Sequence, residues 1–201
     1  STAPHMNFDA RYGKKFGHTE LRDSMWDSLT NLGVGPGMGI TAEIVAERFG
    51  VTRQDQDEYA LLSQKRAVAA QDAGRFKDEI IPIEAFKYKI KNGKRIRETV
   101  IFDEDDGVRW PVTLENMAKL KSPFRLGGNC TAANSSQMTD GAAFSLLMSE
   151  EKAKALKLKP IAKMTHYAVA GCRAEEMGVG PAYAIPKVLK MAGLTTKDID
   201  V

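Results

Sequence analysis

The sequence is poor in the residues that build metal centres and covalent cross-links. Among its 201 residues only Cys130 and Cys172 are cysteine, and only His5, His18 and His166 are histidine. Two cysteines are too few for a disulfide scaffold, and they lack the C-x-x-C spacing of metal or redox work. The histidines have no metal-ligand spacing either. No apolar run approaches the roughly 18 residues that a membrane-spanning helix needs. Charge of one sign is also scarce. The net charge is +3, which does not call for nucleic acid as a partner. The opening STAPHMNFDARYGKKFGH has neither a basic flank with an apolar core nor transit-peptide character. It does not begin with Met, and it reads as though the chain starts inside something longer. Few cysteines and no leader make a reducing, cytoplasmic setting the expectation.

What is present is ordinary globular material. Apolar residues make up 43% and charged residues 27%, enough for one large domain or two small ones. From His18 to Asn31 the apolar residues Leu21, Met25 and Leu29, with Trp26, recur at helical spacing. The run 33-GVGPGMG-39 breaks the chain and lacks the Lys-Ser/Thr of a phosphate-binding loop. Thr41 is placed to cap the short helix AEIVAERF, with Gly50 ending it. Thr52 and Asp55 have the spacing of a capping pair for a helix over about 53–73, which Gly74 stops. Asn92-Gly93 between β-rich runs predicts a hairpin. DEDDG at 103–107 is a loop, and Leu114, Met117 and Leu120 mark a short helix before Pro123.

After Asp140 the texture changes. GAAFSLLM reads as a buried strand, SEEKAKAL as a helix capped by Ser149, and PIAKMTHYAVAG as a second strand. MGVGPAYAIPKVLKMAG leads into a helix ended by Gly193 and starting or kinking near Pro186. TTKDIDV opens a third strand. Strand alternating with helix is the signature of an α/β layer. Three strands do not complete such a sheet, so further segments are expected to pair with these. No internal repeat or low-complexity tract occurs.

The order of these blocks resembles the thiolase family from residue 1 to residue 201. MGITAEIVAERFGVTRQDQDEYALLSQKRAVAAQDAGRFKDEIIPI is similar to the family's loop domain. So are TLENMAKLKSPF, TAANSSQMTDGAAFSLLMSEEKAKAL and AGCRAEEMGVGPAYAIPKVLKMAGLTTKDID. The resemblance implies a partial thiolase-like α/β fold. Residues 1–138 would form a mostly helical loop domain with a β-hairpin that grips coenzyme A. Residues 139–201 would form the first part of the C-terminal half. It also implies a thiolase-type acyltransferase that makes or cleaves 3-ketoacyl-CoA thioesters through a cysteine acyl-enzyme, in β-oxidation or in biosynthesis. The substrate would be acyl-CoA, with no covalently bound cofactor. A homo-oligomer, dimer or tetramer, is implied for the whole enzyme. Nucleic acid and membrane are not expected as partners. The resemblance adds mitochondrion or peroxisome as alternatives to the cytoplasm.

The family's nucleophilic cysteine precedes the segment that resembles residue 1. Its N-E-A-F, G-H-P and C-x-G motifs follow the segment that resembles DIDV. No catalytic residue is therefore expected among these 201, and the chain alone is expected to be inactive. The alternative is a non-catalytic CoA-binding or assembly chain that pairs with complementary thiolase segments. Cys130 stands where the family carries an apolar residue, and Cys172 in GCRAEE matches neither catalytic cysteine. Both are expected to be small structural residues.

The same resemblance implies six ligand contacts. His5 in S-T-A-P-H would lie along the pantetheine, and Arg109 near the adenosine end of coenzyme A. Phe124 in K-S-P-F would pack beside the cofactor. Ala132 and Ser136 would meet the pantetheine amides through backbone and hydroxyl, and Met177 in E-M-G-V-G-P would lie beside the thioester sulfur. Small residues let backbone approach a thin amide chain, and an arginine can hold an anionic or planar group. Asn116 stands where the family often has serine, which bears on a side-chain contact to the nucleotide, and Ala133, Gln137 and Thr139 also depart from the family pattern, which bears on loop shape and acyl-chain preference. The basic residues Lys87, Lys89, Lys91, Lys94, Arg95 and Arg97 read as a solvated hairpin face, on the ground that no interleaved aromatics offer base stacking.

Overall fold

A computed structural model describes residues 3–30 and 36–200. Part of the GVGPGMG run and the last residues of the predicted 18–31 helix and 195–201 strand lie outside the described residues. Two compact units make up the chain. One comprises Ser1–Val51, Phe124–Leu126 and Met138–Val201; the other comprises Thr52–Pro123 and Gly127–Gln137.

In the first unit, β1 (His5–Met6) pairs antiparallel with β2 (Arg22–Asp23). Helix α1 (Ser24–Thr30) follows directly. It starts later than the apolar spacing from His18 predicts, because Arg22 and Asp23 are committed to the ladder. The Asp23 carboxylate then accepts from the Met25 N–H at 2.9 Å and caps the helix. Helix α2 (Met38–Phe49) begins three residues before Thr41. Thr41 is therefore not its cap: its hydroxyl donates to the Met38 carbonyl at 2.7 Å from inside the first turn. The Gly37 carbonyl accepts from the Ile40 and Thr41 N–H groups instead. Gly50 ends α2 in the left-handed conformation at φ 67°, as the sequence predicts. Later in this unit come α5 (Glu150–Ala155), capped by Ser149, and α6 (Gly180–Ala192), ended by Gly193. Helix α6 runs through Pro186. A 3-10 turn over Ala174–Val179 precedes it and packs on α2, where the buried Glu176 carboxylate pairs with Arg48.

The three strands predicted after Asp140 are corrected by the structure. Residues 141–148 and 160–171 adopt neither strand nor helix, and Thr196–Asp198 is a 3-10 turn. Phe144, Leu147 and Ile161 are 98%, 76% and 104% exposed rather than buried. A strand exists only as part of a hydrogen-bonded ladder. Among the described residues the ladders are β1–β2 and the hairpin of Ile83–Lys91 with Lys94–Phe102 alone. The apolar composition of these segments is real, but among the described residues no strand pairs with their backbone.

The second unit is built on α3 (Arg53–Asp72). Its capping box is complete: the Thr52 hydroxyl accepts from the Asp55 N–H at 3.1 Å, and the Asp55 carboxylate accepts from the Thr52 N–H at 2.8 Å. Gly74 turns the chain away at φ 67°. Strands β3 (Ile83–Lys91) and β4 (Lys94–Phe102) form an antiparallel hairpin with Lys91 opposite Lys94. Asn92 and Gly93 both take positive φ, 53° and 71°, the geometry a two-residue hairpin turn requires. Phe86 and Tyr88 alternate with Lys87 and Lys89 along β3, so aromatics do interleave the basic residues. Arg97 stacks over Phe86 at 3.4 Å and Arg95 over Tyr88 at 3.8 Å.

A buried carboxylate ties this unit together. The Asp57 side chain is only 5% exposed. One of its oxygens accepts from Arg53 Nε at 2.8 Å, and the other from Asn134 Nδ2 at 2.9 Å. Arg53 also donates to the Met117 and Leu120 carbonyls, at 2.6 and 3.2 Å. Met117 lies in the last turn of the short helix α4 (Leu114–Ala118), where its carbonyl also accepts from the Leu120 N–H, and Leu120 follows just beyond the helix. Asn134 donates again to the Asn129 carbonyl at 2.9 Å and accepts from the Thr131 N–H at 2.7 Å. Helix α3 therefore holds α4 through one side chain and the 127–137 loop through another. Met117, Cys130 and Thr131 are buried around this network, Thr131 completely.

Two measurements check this account. Asn134→Ala orphans the buried Thr131 N–H and one Asp57 oxygen, and is expected to cost about 2–3 kcal/mol in urea unfolding. Asn134→Asp is expected to cost more, because it sets two carboxylates against each other. The second test concerns the α3 cap. The Thr52 hydroxyl and N–H hold the Asp55 carboxyl below its usual range. A depressed carboxylate contributes stability above its unfolded pKa and loses it as pH falls through the folded value. Thr52→Ala is expected to cost about 1 kcal/mol at neutral pH. The gap to the unsubstituted chain is expected to narrow in acid, as paired urea titrations would read.

Candidate functional site

The 127–137 loop is rigid at its middle and open at its small residues. Gly127 enters it at φ 70°. Asn134 and Thr131 pull its centre onto α3, which leaves Ala132 exposed beside the buried Thr131. Ser136 is exposed, and its hydroxyl donates to the Gln137 carbonyl at 3.2 Å. Cys130 is 7% exposed, with its sulfur 4.0 Å from Oε1 of the Gln56 side chain. A thiol sealed in this way behaves as a small packing residue, not as an accessible nucleophile. Cys172, in the other unit, is exposed.

Arg109 lies in the segment between β4 and α4. Its backbone N–H donates to the Gln64 side-chain carbonyl on α3 at 3.1 Å. The acidic loop before it is tied down in the same way, the Asp105 carbonyl accepting from Gln71 at 2.8 Å. Main-chain bonds to α3 thus fix the segment while the Arg109 side chain stays exposed. Among the described residues no ion pair or hydrogen bond engages its guanidinium. A cavity of about 450 Å³ in this unit is lined by Arg53, Gln54, Asp57, Leu114, Glu115 and Ala118. None of the residues expected from sequence lines it.

His5, Phe124 and Met177 belong to the first unit. His5 is exposed and faces Asp23 across the β1–β2 ladder. Phe124 is held in a short segment whose next residue, Arg125, pairs with Glu47 of α2 at 2.7 Å. The Glu47 carboxylate, with Glu43 behind it, keeps that guanidinium's pKa above its ordinary value. The ring of Phe124 lies against Gly39, where any Cβ would collide with it. Met177 is 46% exposed in the 3-10 turn, next to the buried Glu176. The six expected contacts thus divide evenly between the units, and within the second unit Ala132 and Ser136 share one clamped loop. Sequence reasoning missed the residues that hold that loop, Asp57 and Asn134. The available signal was the Arg53–Asp57 spacing of four on one helix face.

Comparison with known proteins agrees with this architecture. The sequence matches the thiolase N-terminal domain over residues 1–151 and the thiolase C-terminal domain over residues 158–201. It is 49% identical over 164 residues to the peroxisomal 3-ketoacyl-CoA thiolase B of Rattus norvegicus, covering 82% of this chain and 38% of the relative. It is 42% identical over 202 residues to an acetyl-CoA acetyltransferase of Chromobacterium violaceum, covering 100% of this chain and 50% of the relative. The fold is similar to the crystal structure of the Bacillus anthracis acetyl-CoA acetyltransferase, with a TM-score of 0.87 and 39% identity over 98% of this chain and 48% of that one. Human mitochondrial 3-ketoacyl-CoA thiolase in complex with CoA gives a TM-score of 0.79 and 36% identity over 99% of this chain and 48% of that one. The chain spans about half the length of these relatives or less. With both domain families matched in order along it, the chain belongs to the thiolase family.

Proposed function

We propose that the chain is part of a thiolase-type acyltransferase acting on acyl-CoA and 3-ketoacyl-CoA, and that it supplies the enzyme's grip on coenzyme A. In this reading residues 1–138 are the CoA-binding loop domain and residues 139–201 open the C-terminal half. The observation that carries the proposal is the ordered match to both thiolase domains along the chain. The geometry of the second unit supports it. Arg53 and Arg109 are both guanidinium groups there, but they differ in what they have left to give. Arg53 is consumed by Asp57 and two backbone carbonyls. Arg109 has its main chain fixed and its side chain exposed, which suits the nucleotide end of the ligand.

The clamped loop supports the pantetheine contacts on similar grounds. A thin amide chain needs backbone and hydroxyl groups that it can approach closely. Ala132 presents backbone behind a single methyl, and Ser136 adds a hydroxyl. Because Asn134 already orders the loop, little conformational entropy is lost when a ligand binds it. Phe124 and Met177 would supply apolar contact, and His5 would lie along the pantetheine. The catalytic cysteines, the histidine and the asparagine-held water of the reaction would come from other segments. The 201 residues alone would bind and orient without transferring an acyl group.

A second reading, a chain that pairs with complementary thiolase segments, is favoured by the exposure of Phe144, Leu146, Leu147 and Ile161. Thiolysis separates the two. The isolated chain is expected to release no acyl-CoA from a 3-ketoacyl-CoA above the blank rate. Turnover by it would overturn the assignment of catalysis to other segments, and turnover only after mixing with complementary thiolase segments would establish the assembly reading. In a complete thiolase carrying these residues, Arg109→Ala is expected to weaken CoA binding by about 1–3 kcal/mol, the scale of a bond to a charged group. Unchanged affinity by calorimetry would remove Arg109 from the site.

A further inference from the structure

The β3–β4 hairpin has no role in the reading above, yet it holds the strongest local charge in the molecule. Residues 87–97 carry six basic side chains and no acidic one, in a chain whose net charge is only +3. The hairpin's acids sit nearer its base. Glu84 lies opposite Ile101, and Glu98 is held by Lys89 at 2.6 Å, which keeps its carboxyl below the usual range. Apart from Ala85 and Val100, every residue of the hairpin is exposed.

The register decides what kind of surface this is. Side chains alternate between the two faces of a strand. One face carries Lys87, Lys89, Lys91 and Lys94 with Ile96. The other carries Phe86, Tyr88, Ile90, Arg95 and Arg97. Both faces are therefore basic and both carry exposed aliphatic side chains near the turn, Ile90 at 82% and Ile96 at 44%. A strand-like peptide or a nucleic acid groove would use one face and leave the other charged in water. A layer that surrounds the tip meets both. We propose that the tip of the β3–β4 hairpin is a docking surface for an anionic phospholipid bilayer.

The chemistry fits such a layer. Clustered lysines and arginines are drawn to the negative potential of anionic headgroups. Arg95 and Arg97, stacked on Tyr88 and Phe86, bring the planar guanidinium fork that meets phosphate in pairs. The covered aromatic faces are correspondingly poor platforms for bases. Tyr88 has the amphipathic ring of an interfacial residue, and Ile90, 82% exposed, adds an apolar side chain for the headgroup boundary. Among the described residues no helix is long and apolar enough to cross a membrane, and lying on a bilayer requires none.

The test uses the full chain and large vesicles of phosphatidylcholine with about one-third phosphatidylglycerol. Co-sedimentation is expected with these vesicles and not with phosphatidylcholine alone, and it is expected to weaken as salt rises. Each basic residue removed from the tip is expected to lower partitioning about fivefold, so Lys91→Gln with Lys94→Gln lowers it about 25-fold. These side chains are exposed and leave the Asn92-Gly93 turn intact, and a circular dichroism melt checks that the fold is kept. Lys152→Gln with Lys159→Gln removes the same charge elsewhere and is expected to leave partitioning within about twofold. The proposal is overturned by equal binding to neutral vesicles, by no binding to anionic ones, or by equal losses from the tip and control pairs. It is also overturned if single-stranded RNA or a polyglutamate peptide displaces the chain from vesicles at equal charge concentration.

Discussion

One buried carboxylate governs the second unit. A carboxylate taken out of water needs both oxygens satisfied, and each oxygen of Asp57 is satisfied from a different part of the chain. Arg53 approaches along α3 and carries α4 with it through two carbonyls. Asn134 approaches from the loop and carries Thr131 and Asn129 with it. The apolar contribution to this assembly is small, with Met117 and Cys130 the buried apolar side chains nearby. Specific polar geometry, more than apolar area, therefore sets where Ala132 and Ser136 stand. A loop fixed in this way can present main chain to a ligand without first losing freedom to do so.

The same accounting explains the segments after Asp140. Residues 141–148 are apolar enough to be a strand interior, but a strand's N–H and C=O groups need a neighbour. With none among the described residues, backbone and side chains both face outward, and Phe144 is 98% exposed. Helices in the same stretch form because they satisfy their backbone internally. Helix α5 is six residues long with its Ser149 cap in place, and α6 closes on Gly193. Local structure thus survives where it is self-contained and fails where it depends on a partner.

That distinction also sets what the sequence made legible. The Thr52 capping box, the glycine stops at Gly50, Gly74 and Gly193, and the Asn92-Gly93 turn are all short-range devices. Each depends on residues within a few positions, so each was readable. The Thr41 cap failed because a glycine-led turn starts the helix earlier, and backbone carbonyls there replace a side-chain cap. The strand assignments failed because pairing is non-local. Phe86 and Tyr88 were visible as letters, but their stacking under Arg97 and Arg95 depends on register across the hairpin. For the candidate site, the proposed contacts Ala132 and Ser136 were reachable only through family resemblance. Asn134, which positions them, gave no periodic signal because its partners lie 77 and five residues away.

Two arginines of the second unit, Arg53 and Arg109, show why position in a network matters more than residue type. Both are cations in the same unit, and composition cannot rank them. Arg53 meets a buried acid and two helix-end carbonyls, so its donors are spent inside the protein and its loss would expose a buried charge. Arg109 meets Gln64 only through its main chain, so the scaffold fixes where it stands while leaving its five donors to solvent. A side chain whose position is set but whose hydrogen bonds are unspent can bind a ligand without breaking any bond of the fold. By that criterion Arg53 is structural, and Arg109 is the cation of this pair whose donors remain available to a ligand.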